Sequence, residues 1–274
     1  MTYKVIILTG NELRHQYFRT VMSNDPRFDV LAAISEGTEN SLENRIEKDP
    51  NSTRLETFHV SARTQSEKDM LGDCVAHMTD KSNPLVIPKG TINSDSIVQK
   101  IYSHNPDLLV CYGSSIIKSS LLKHYSRKFI NVHLGLSPHY RGSGTNVWPL
   151  INREPHMIGA TFMHIDEGID TGNIIHQIRA QIFIGDSPHS IGNRLIKQMT
   201  TTYCDIIANF NHLTDETQPD PAGKLYRRQD FNAEACRALY ESLNSDMIIN
   251  YISDQENSIK LPYIVNNKGL PPTL

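Results

Sequence analysis

The chain has 274 residues and a mass of 31.0 kDa, enough for one sizeable α/β unit with an appendage, since domains cluster near ~100 to 150 residues. Its 38% apolar and 21% charged content is that of an ordinary globule, and no apolar run reaches the ~18 residues of a membrane span. A formal net charge of −3 gives no basic footprint for nucleic acid, so neither a nucleic-acid nor a membrane partner is expected.

Val5 to Leu8 is too short for a secretory apolar region and is followed by Asn11 and Glu12, so a cytoplasmic protein is expected. Cys74, Cys111, Cys204 and Cys236 form no C-x-x-C pair and read as reduced core or helix residues. The 12 histidines are scattered without H-E-x-x-H spacing, and no metal site is expected.

Tyr3 to Leu8 predicts a strand, and Asn11 to Met22 a helix with Leu13, Tyr17, Val21 and Met22 at helical spacing. The turn between them lacks G-x-G-x-x-G, which gives a dinucleotide little support. A helix N-terminus still accepts phosphate, making Gly10, Asn11, Arg14 and His15 candidate contacts to an acceptor; an exposed Arg and a capping role are the competing readings. Phe28 to Ile34 reads as a strand, Glu36 to Asn51 as polar and irregular, and Ala62 to Met78 as a helix with Met70, Leu71, Cys74, Val75 and Met78 on one face. Then come a short strand at Leu85 to Pro88, a helix at Ser94 to Ser103, a strand buried on both faces at Leu108 to Tyr112, a helix at Ser115 to His124 and a strand at Lys128 to His133.

This alternation predicts a doubly wound, mostly parallel sheet whose ligands bind beyond the carboxyl ends of the strands, where His133 lies. Ile158 to Ile165 and Asn173 to Ile184 predict a β-hairpin whose loop carries Asp170. Ser187 to Phe210 reads as a helix, with Ser187-Pro188 as cap and first turn. Thr214 to Gly223 is rich in Asp, Pro and Gly and reads as a linker. From Leu213 onward six Lys/Arg face nine Asp/Glu, so this small C-terminal extension carries the whole net charge of −3. Two units are expected, residues 1–212 and 213–274, the second serving acceptor binding, capping or a homodimer face through Ile248, Ile249, Tyr251 and Ile252.

The chemistry concentrates in Asn131-Val132-His133-Leu134-Gly135-Leu136-Ser137-Pro138-His139-Tyr140-Arg141-Gly142 and, further on, Asp166-Glu167-Gly168-Ile169-Asp170-Thr171-Gly172. Taken singly, these are polar residues ending a strand and ordinary turn chemistry. Together they bring an Asn, a His and an Asp, the groups that move an acyl group between nitrogens: amide N–H and imidazolium for an oxyanion, carboxylate for the proton.

The pattern N-x-H-x-x-x-x-P-x-Y-R-G followed by D-E-G-x-D-T-G resembles the formyltransferase family that uses 10-formyltetrahydrofolate, which includes methionyl-tRNA, glycinamide ribonucleotide and nucleotide-sugar N-formyltransferases. The motifs lie within about residues 105–212, and residues 1–104 match only in layout. The resemblance implies a Rossmann-like formyltransferase fold with Asn131, His133 and Asp170 as the catalytic trio. It implies that Leu109, Cys111, Tyr112, Gly113, Ser114 and Ile116, with the backbone of Asp166, Glu167 and Gly168, clasp the pterin. Arg141 then belongs to a loop shaping the acceptor pocket, and Tyr226, set among basic residues, could stack on a nucleobase. Gly135-Leu136-Ser137-Pro138 departs from the family's commoner Ser-Leu-Leu-Pro, and Trp148 reads as core.

The implied reaction is formyl transfer from 10-formyltetrahydrofolate to a primary amine, without metal. A nucleotide-linked amino sugar is the expected acceptor, because the acidic tail looks too short for an RNA-binding barrel. Methionyl-tRNA and glycinamide ribonucleotide are the alternatives, and a non-catalytic ligand-binding protein on the same scaffold is the rival from another class.

Overall fold

In the computed structural model, which describes residues 2–219, 223–256 and 261–270, nine strands form two sheets. In chain order the strands are β1 (Tyr3–Thr9), β2 (Phe28–Glu36), β3 (Pro84–Ile87), β4 (Leu108–Tyr112), β5 (Phe129–His133), β6 (Tyr140–Gly142), β7 (Gly159–His164), β8 (Ile174–Arg179) and β9 (Lys224–Tyr226). The main sheet runs β3-β2-β1-β4-β5-β7-β8. Its first five strands are parallel and the hairpin β7–β8 is antiparallel, so the fold is the doubly wound α/β arrangement.

The helices are α1 (Leu13–Ser23), α2 (Leu42–Lys48), α3 (Arg54–His77), α4 (Asp95–His104), α5 (Ser119–His124), α6 (Trp148–Ile151), α7 (Pro188–Ala208), α8 (Ala233–Leu243) and α9 (Met247–Glu256). They bury the sheet on both faces, which is why Val5 to Leu8 of β1 and all of β4 are apolar without interruption. Val5 and Ile7, with Leu108, Val110 and Tyr112, face the larger core with Phe18, Met22 and Leu71. Ile6, Leu8, Leu109 and Cys111 face the smaller core with Ile97, Ile101 and Leu121. The chain leaves β1 for β2 and β3 and returns to β4 and β5. A crevice therefore opens where β1 and β4 end, at Gly10 and Gly113.

Several elements differ from the sequence expectation. The polar stretch 36–51 contains α2, capped by the Ser41 side chain accepting from the Asn44 amide and burying only Ile46. Helix α3 starts at Arg54 rather than Ala62, because Thr53 and Glu56 form a capping box. Residues 115–118 are a loop rather than the first turn of α5, held by the Lys118 amide donating to Asn93 Oδ1 at 2.7 Å. Strand β8 stops at Arg179, and α8 and α9 follow β9.

Of the stretch read as a linker, residues 220–222 lie outside the described residues, and residues 215 and 216 are pinned. Glu216 exchanges backbone hydrogen bonds with Ile174 at 2.7 and 2.8 Å, and Asp215 accepts from Asn173 Nδ2 at 2.7 Å. Further on, β9 pairs in parallel with β6, and α8 packs on α3 and α6. Cys236, Leu239, Met247, Ile248 and Tyr251 join the larger core, whereas Ile249 is half exposed. All four cysteines are free.

Candidate active site

A cleft of about 1030 Å³ crosses the carboxyl ends of the parallel strands. At the end of β5, His133 is buried and its Nδ1 lies 3.3 Å from Asp170 Oδ2. Its Nε2 is 2.9 Å from the Tyr140 carbonyl and 3.2 Å from Thr145 Oγ1. The Thr145 hydroxyl donates to the Leu134 carbonyl at 2.6 Å, so its oxygen is left to accept from Nε2. Both ring nitrogens thus face acceptors, an environment that only the doubly protonated ring satisfies in full.

Asp170 sits in the left-handed region at φ 54° on the loop between β7 and β8. Its Oδ2 also accepts from the Gly142 amide at 2.8 Å. The loop is fixed from several sides. Asp166 Oδ1 accepts from the Gly168 amide and the Thr171 hydroxyl, Arg141 Nε donates to the Ile169 carbonyl at 2.9 Å, and Gln218 Nε2 donates to the Asp170 and Gly172 carbonyls at 2.9 and 2.8 Å. Asn131 differs: it lines the cleft, and its side chain has no hydrogen-bond partner among the described residues.

The departure at Gly135 has a steric reason. A Cβ there would stand 2.6 Å from His133 Nε2 and 2.8 Å from Thr145 Cβ, closer than packed carbons come. With His133 seated against Thr145, position 135 has no room for a side chain.

The expected pterin segment divides. Cys111, Tyr112, Gly113, Ser114 and Ile116 line the cleft, as do Asp166 and Gly168; Leu109 is in the smaller core, and Glu167 is outside the lining. Ile116 is 64% exposed and Ile169 38%, which puts two apolar side chains at the cleft mouth. Burial pushes the Cys111 thiol up to about 11, so it is no ready nucleophile.

At the β1–α1 turn, Gly10, Arg14 and His15 line the cleft and Asn11 does not. Arg14 is met by two carboxylates, Glu67 Oε1 at 2.7 Å and Glu12 Oε1 at 3.2 Å. Burial would raise the Glu12 carboxyl, but His15 and Arg14 hold it well below the carboxylate range. Burial lowers His15 despite Glu12 beside it. Arg141 is outside the lining and holds the Asp170 loop instead. Tyr226 lines the cleft but is buried, its ring 4.4 Å from Trp148 and 5.8 Å from Tyr140, with Lys224 Nζ 4.7 Å above it. Its hydroxyl accepts from Asn152 Nδ2 at 2.8 Å.

The fold also brings residues here that the motifs did not announce: Thr145, Gln218, and on the far wall His59, Arg63, His189 and Phe231. The only sequence signal for these was the one-turn spacing of His59 and Arg63. Seven basic residues line the cleft against four acidic ones, in a chain whose net charge is −3. Among the described residues, no group of three or more His, Cys, Asp or Glu is arranged to hold a metal ion, and no helix is long and apolar enough to cross a membrane.

The sequence profile described as "Formyl transferase" matches residues 30–207. The methionyl-tRNA formyltransferase of Thermodesulfovibrio yellowstonii is 36% identical over 114 residues, and that of Geobacter metallireducens 35% over 115; each match spans 41% of this chain and 36% of the relative. The chain thus matches little more than a third of the length of these curated relatives. Among solved structures, a sugar N-formyltransferase from Shewanella superposes with a TM-score of 0.55 at 20% identity, covering 89% of this chain and 88% of its own. A phosphoribosylglycinamide formyltransferase from Anaplasma phagocytophilum gives 0.54 at 16% identity, covering 83% and 100%. Likeness at these identities establishes the shared fold.

Proposed function

This chain belongs to the formyl transferase family, and from that premise we propose that it transfers a formyl group from 10-formyltetrahydrofolate to the primary amine of a nucleotide-linked amino sugar. The observation that carries the chemistry is the free Asn131 amide beside a His133–Asp170 pair braced on every side. The amine attacks the formyl carbon. The carbonyl oxygen becomes an oxyanion, which Asn131 meets with an N–H and His133 with positive charge. Because both nitrogens of His133 are already engaged, its part in this arrangement is electrostatic, and Asn131 is the direct donor. Asp170 keeps the imidazolium in place and takes the proton lost by the amine, through water. As the C–N bond to the folate breaks, Asp170 returns that proton through water to the departing nitrogen, leaving tetrahydrofolate and the formamide. Cys111 to Ile116 and the 166–172 loop, with apolar Ile116 and Ile169 at the mouth, fit a flat heterocycle and its aryl extension.

The acceptor follows from charge. The cleft lining is net basic, with Arg227 and Arg228 of the extension among its cations, while the extension as a whole is acidic, a distribution suited to a small anionic ligand rather than a polynucleotide that tracks an extended basic surface. Sequence likeness to methionyl-tRNA formyltransferases favours a second reading, with aminoacylated tRNA as acceptor. Incubation with 10-formyltetrahydrofolate and, separately, sugar nucleotides bearing an amine, glycinamide ribonucleotide and methionyl-tRNA decides between them. Folate turnover with an amino-sugar nucleotide is expected. Turnover with methionyl-tRNA alone would overturn the acceptor and keep the chemistry; turnover with none would favour the non-catalytic alternative.

A further inference from the structure

We propose that His59, Arg63 and His189 form the seat of the acceptor's diphosphate, an assignment that rests on the sugar-nucleotide reading. His59 and Arg63 are one turn apart on α3, and His189 is the second residue of α7, its ring centroid 4.7 Å from that of His59. All three line the cleft. His189 is only 6% exposed, yet its Nε2 has no hydrogen-bond partner, and Arg63 Nε is likewise buried and unpartnered. Buried donors are paired in almost all native structures, so two orphans on one wall of a ligand cleft mark places for a ligand's acceptors.

The ligand's charge is set by its surroundings. Glu43 holds one terminal nitrogen of the Arg63 guanidinium and leaves Nε unpartnered. His59 Nδ1 is 3.2 Å from the Tyr240 hydroxyl, which fixes that ring. The first turn of α7, a helix of 21 residues, adds a partial positive charge beside His189. Burial holds His59 at about 4 and His189 at about 3, so near neutrality both rings are uncharged and can offer an N–H without repelling Arg63. Donors, a guanidinium and a helix N-terminus together select anionic oxygen, and a diphosphate supplies enough acceptors to reach both orphans. Arg14 is less suited, since Glu12 and Glu67 already hold both its terminal nitrogens.

The test is calorimetric titration of the full chain with uridine diphosphate, thymidine diphosphate and inorganic pyrophosphate, with tetrahydrofolate as a control for folding. Arg63→Met and His189→Phe should each weaken nucleoside diphosphate binding at least tenfold and leave tetrahydrofolate binding unchanged. Arg63→Lys, which keeps the charge and removes Nε, should lose nearly as much. Arg14→Met should lose less. Nucleoside diphosphate binding that survives all three seat variants would overturn this seat and leave the acceptor reading intact. No diphosphate binding by the unaltered chain, with tetrahydrofolate still bound, would overturn both.

Discussion

The two walls of the cleft differ in how completely their polar atoms are satisfied. On the wall of β5 and the 166–172 loop, both nitrogens of His133 have partners, Asp170 has two, and the loop carbonyls are held by Arg141 and Gln218. Of the polar groups named on that wall, only the Asn131 amide is left free, among the described residues, to meet a ligand. On the wall of α3 and the start of α7, Arg63 Nε and His189 Nε2 have none. Catalytic groups must be rigid before the substrate arrives, because reorganisation during the reaction adds to the barrier. Recognition groups need free valences that the substrate fills. On the roles proposed above, the difference sets the braced His133–Asp170 pair apart from the groups left open for a ligand.

The strongest way to break that division is at the braced pair. His133→Ala and Asp170→Asn should each lower kcat roughly a hundredfold or more, the usual scale for a lost acid–base partner. The double variant should be hardly worse than the worse single one, because the two act as one unit. Steady-state rates near those of the unaltered enzyme in the His133 variant would move chemistry away from this wall. Refilling position 135 comes next: Gly135→Ser restores the commoner family residue but collides with His133 and Thr145, and a fall in kcat of roughly tenfold or more is expected, since ångström-scale misplacement is costly. Unchanged kinetics would mean that the His133–Thr145 contact is dispensable.

Removing the loop clamp sharpens the comparison further. Gln218→Ala should reduce kcat by about tenfold, equivalent to ~1.4 kcal/mol of lost positioning, with little change in the KM of either substrate. A rise in KM at constant kcat would instead assign Gln218 to binding.

The smallest effect concerns the unfinished wall. His59 and His189 have folded values of about 4 and 3, depressed by burial from an unfolded value near 6.5, so the unfolded chain takes up protons first on acidification. Their contribution to stability is present above pH 6.5 and is lost as pH falls through the folded values. His176, held at about 4 by burial in β8, acts in the same direction. Melting temperatures should therefore drop between pH 6.5 and 4, and His189→Phe should shallow that decline. An identical acid limb in the variant would show that His189 is not held neutral.

How much of this was legible in sequence depends on how local each signal was. Leu108 to Tyr112 read as a doubly buried strand because alternate residues serve two cores, leaving no polar position. Asn131, His133 and Asp170 were legible because each sits in a compact motif. Helix α2 was not, as a single buried residue leaves no periodic signal. The start of α3 was hidden for a related reason: α1, α7 and α8 all pack against that helix, which blurs its apolar face. The far wall is assembled from α3, the start of α7 and the approach to α8, so no window of sequence contains it. Thr214 to Gly223 read as a linker from composition; what pins its described part is the backbone pairing of Glu216 with Ile174 together with the Asp215 and Gln218 side chains, whose partners lie more than 40 residues away in sequence.

The short β6–β9 ladder ties the evolution of substrate range to the evolution of rate. Gly142, whose amide holds Asp170, is paired with Tyr226, and the Ser143 amide donates to the Tyr226 carbonyl at 2.8 Å. A Cβ at Gly142 would run into that carbonyl. Both β9 and Gln218 lie beyond the stretch that carries the family signature. A lineage that exchanges this extension for another also exchanges the parts that hold Asp170, the carboxylate proposed above for catalysis. Grafted tails should therefore arrive with impaired catalysts, and compensating changes should be found around Gly142 and Asp170 before any appear in the sheet.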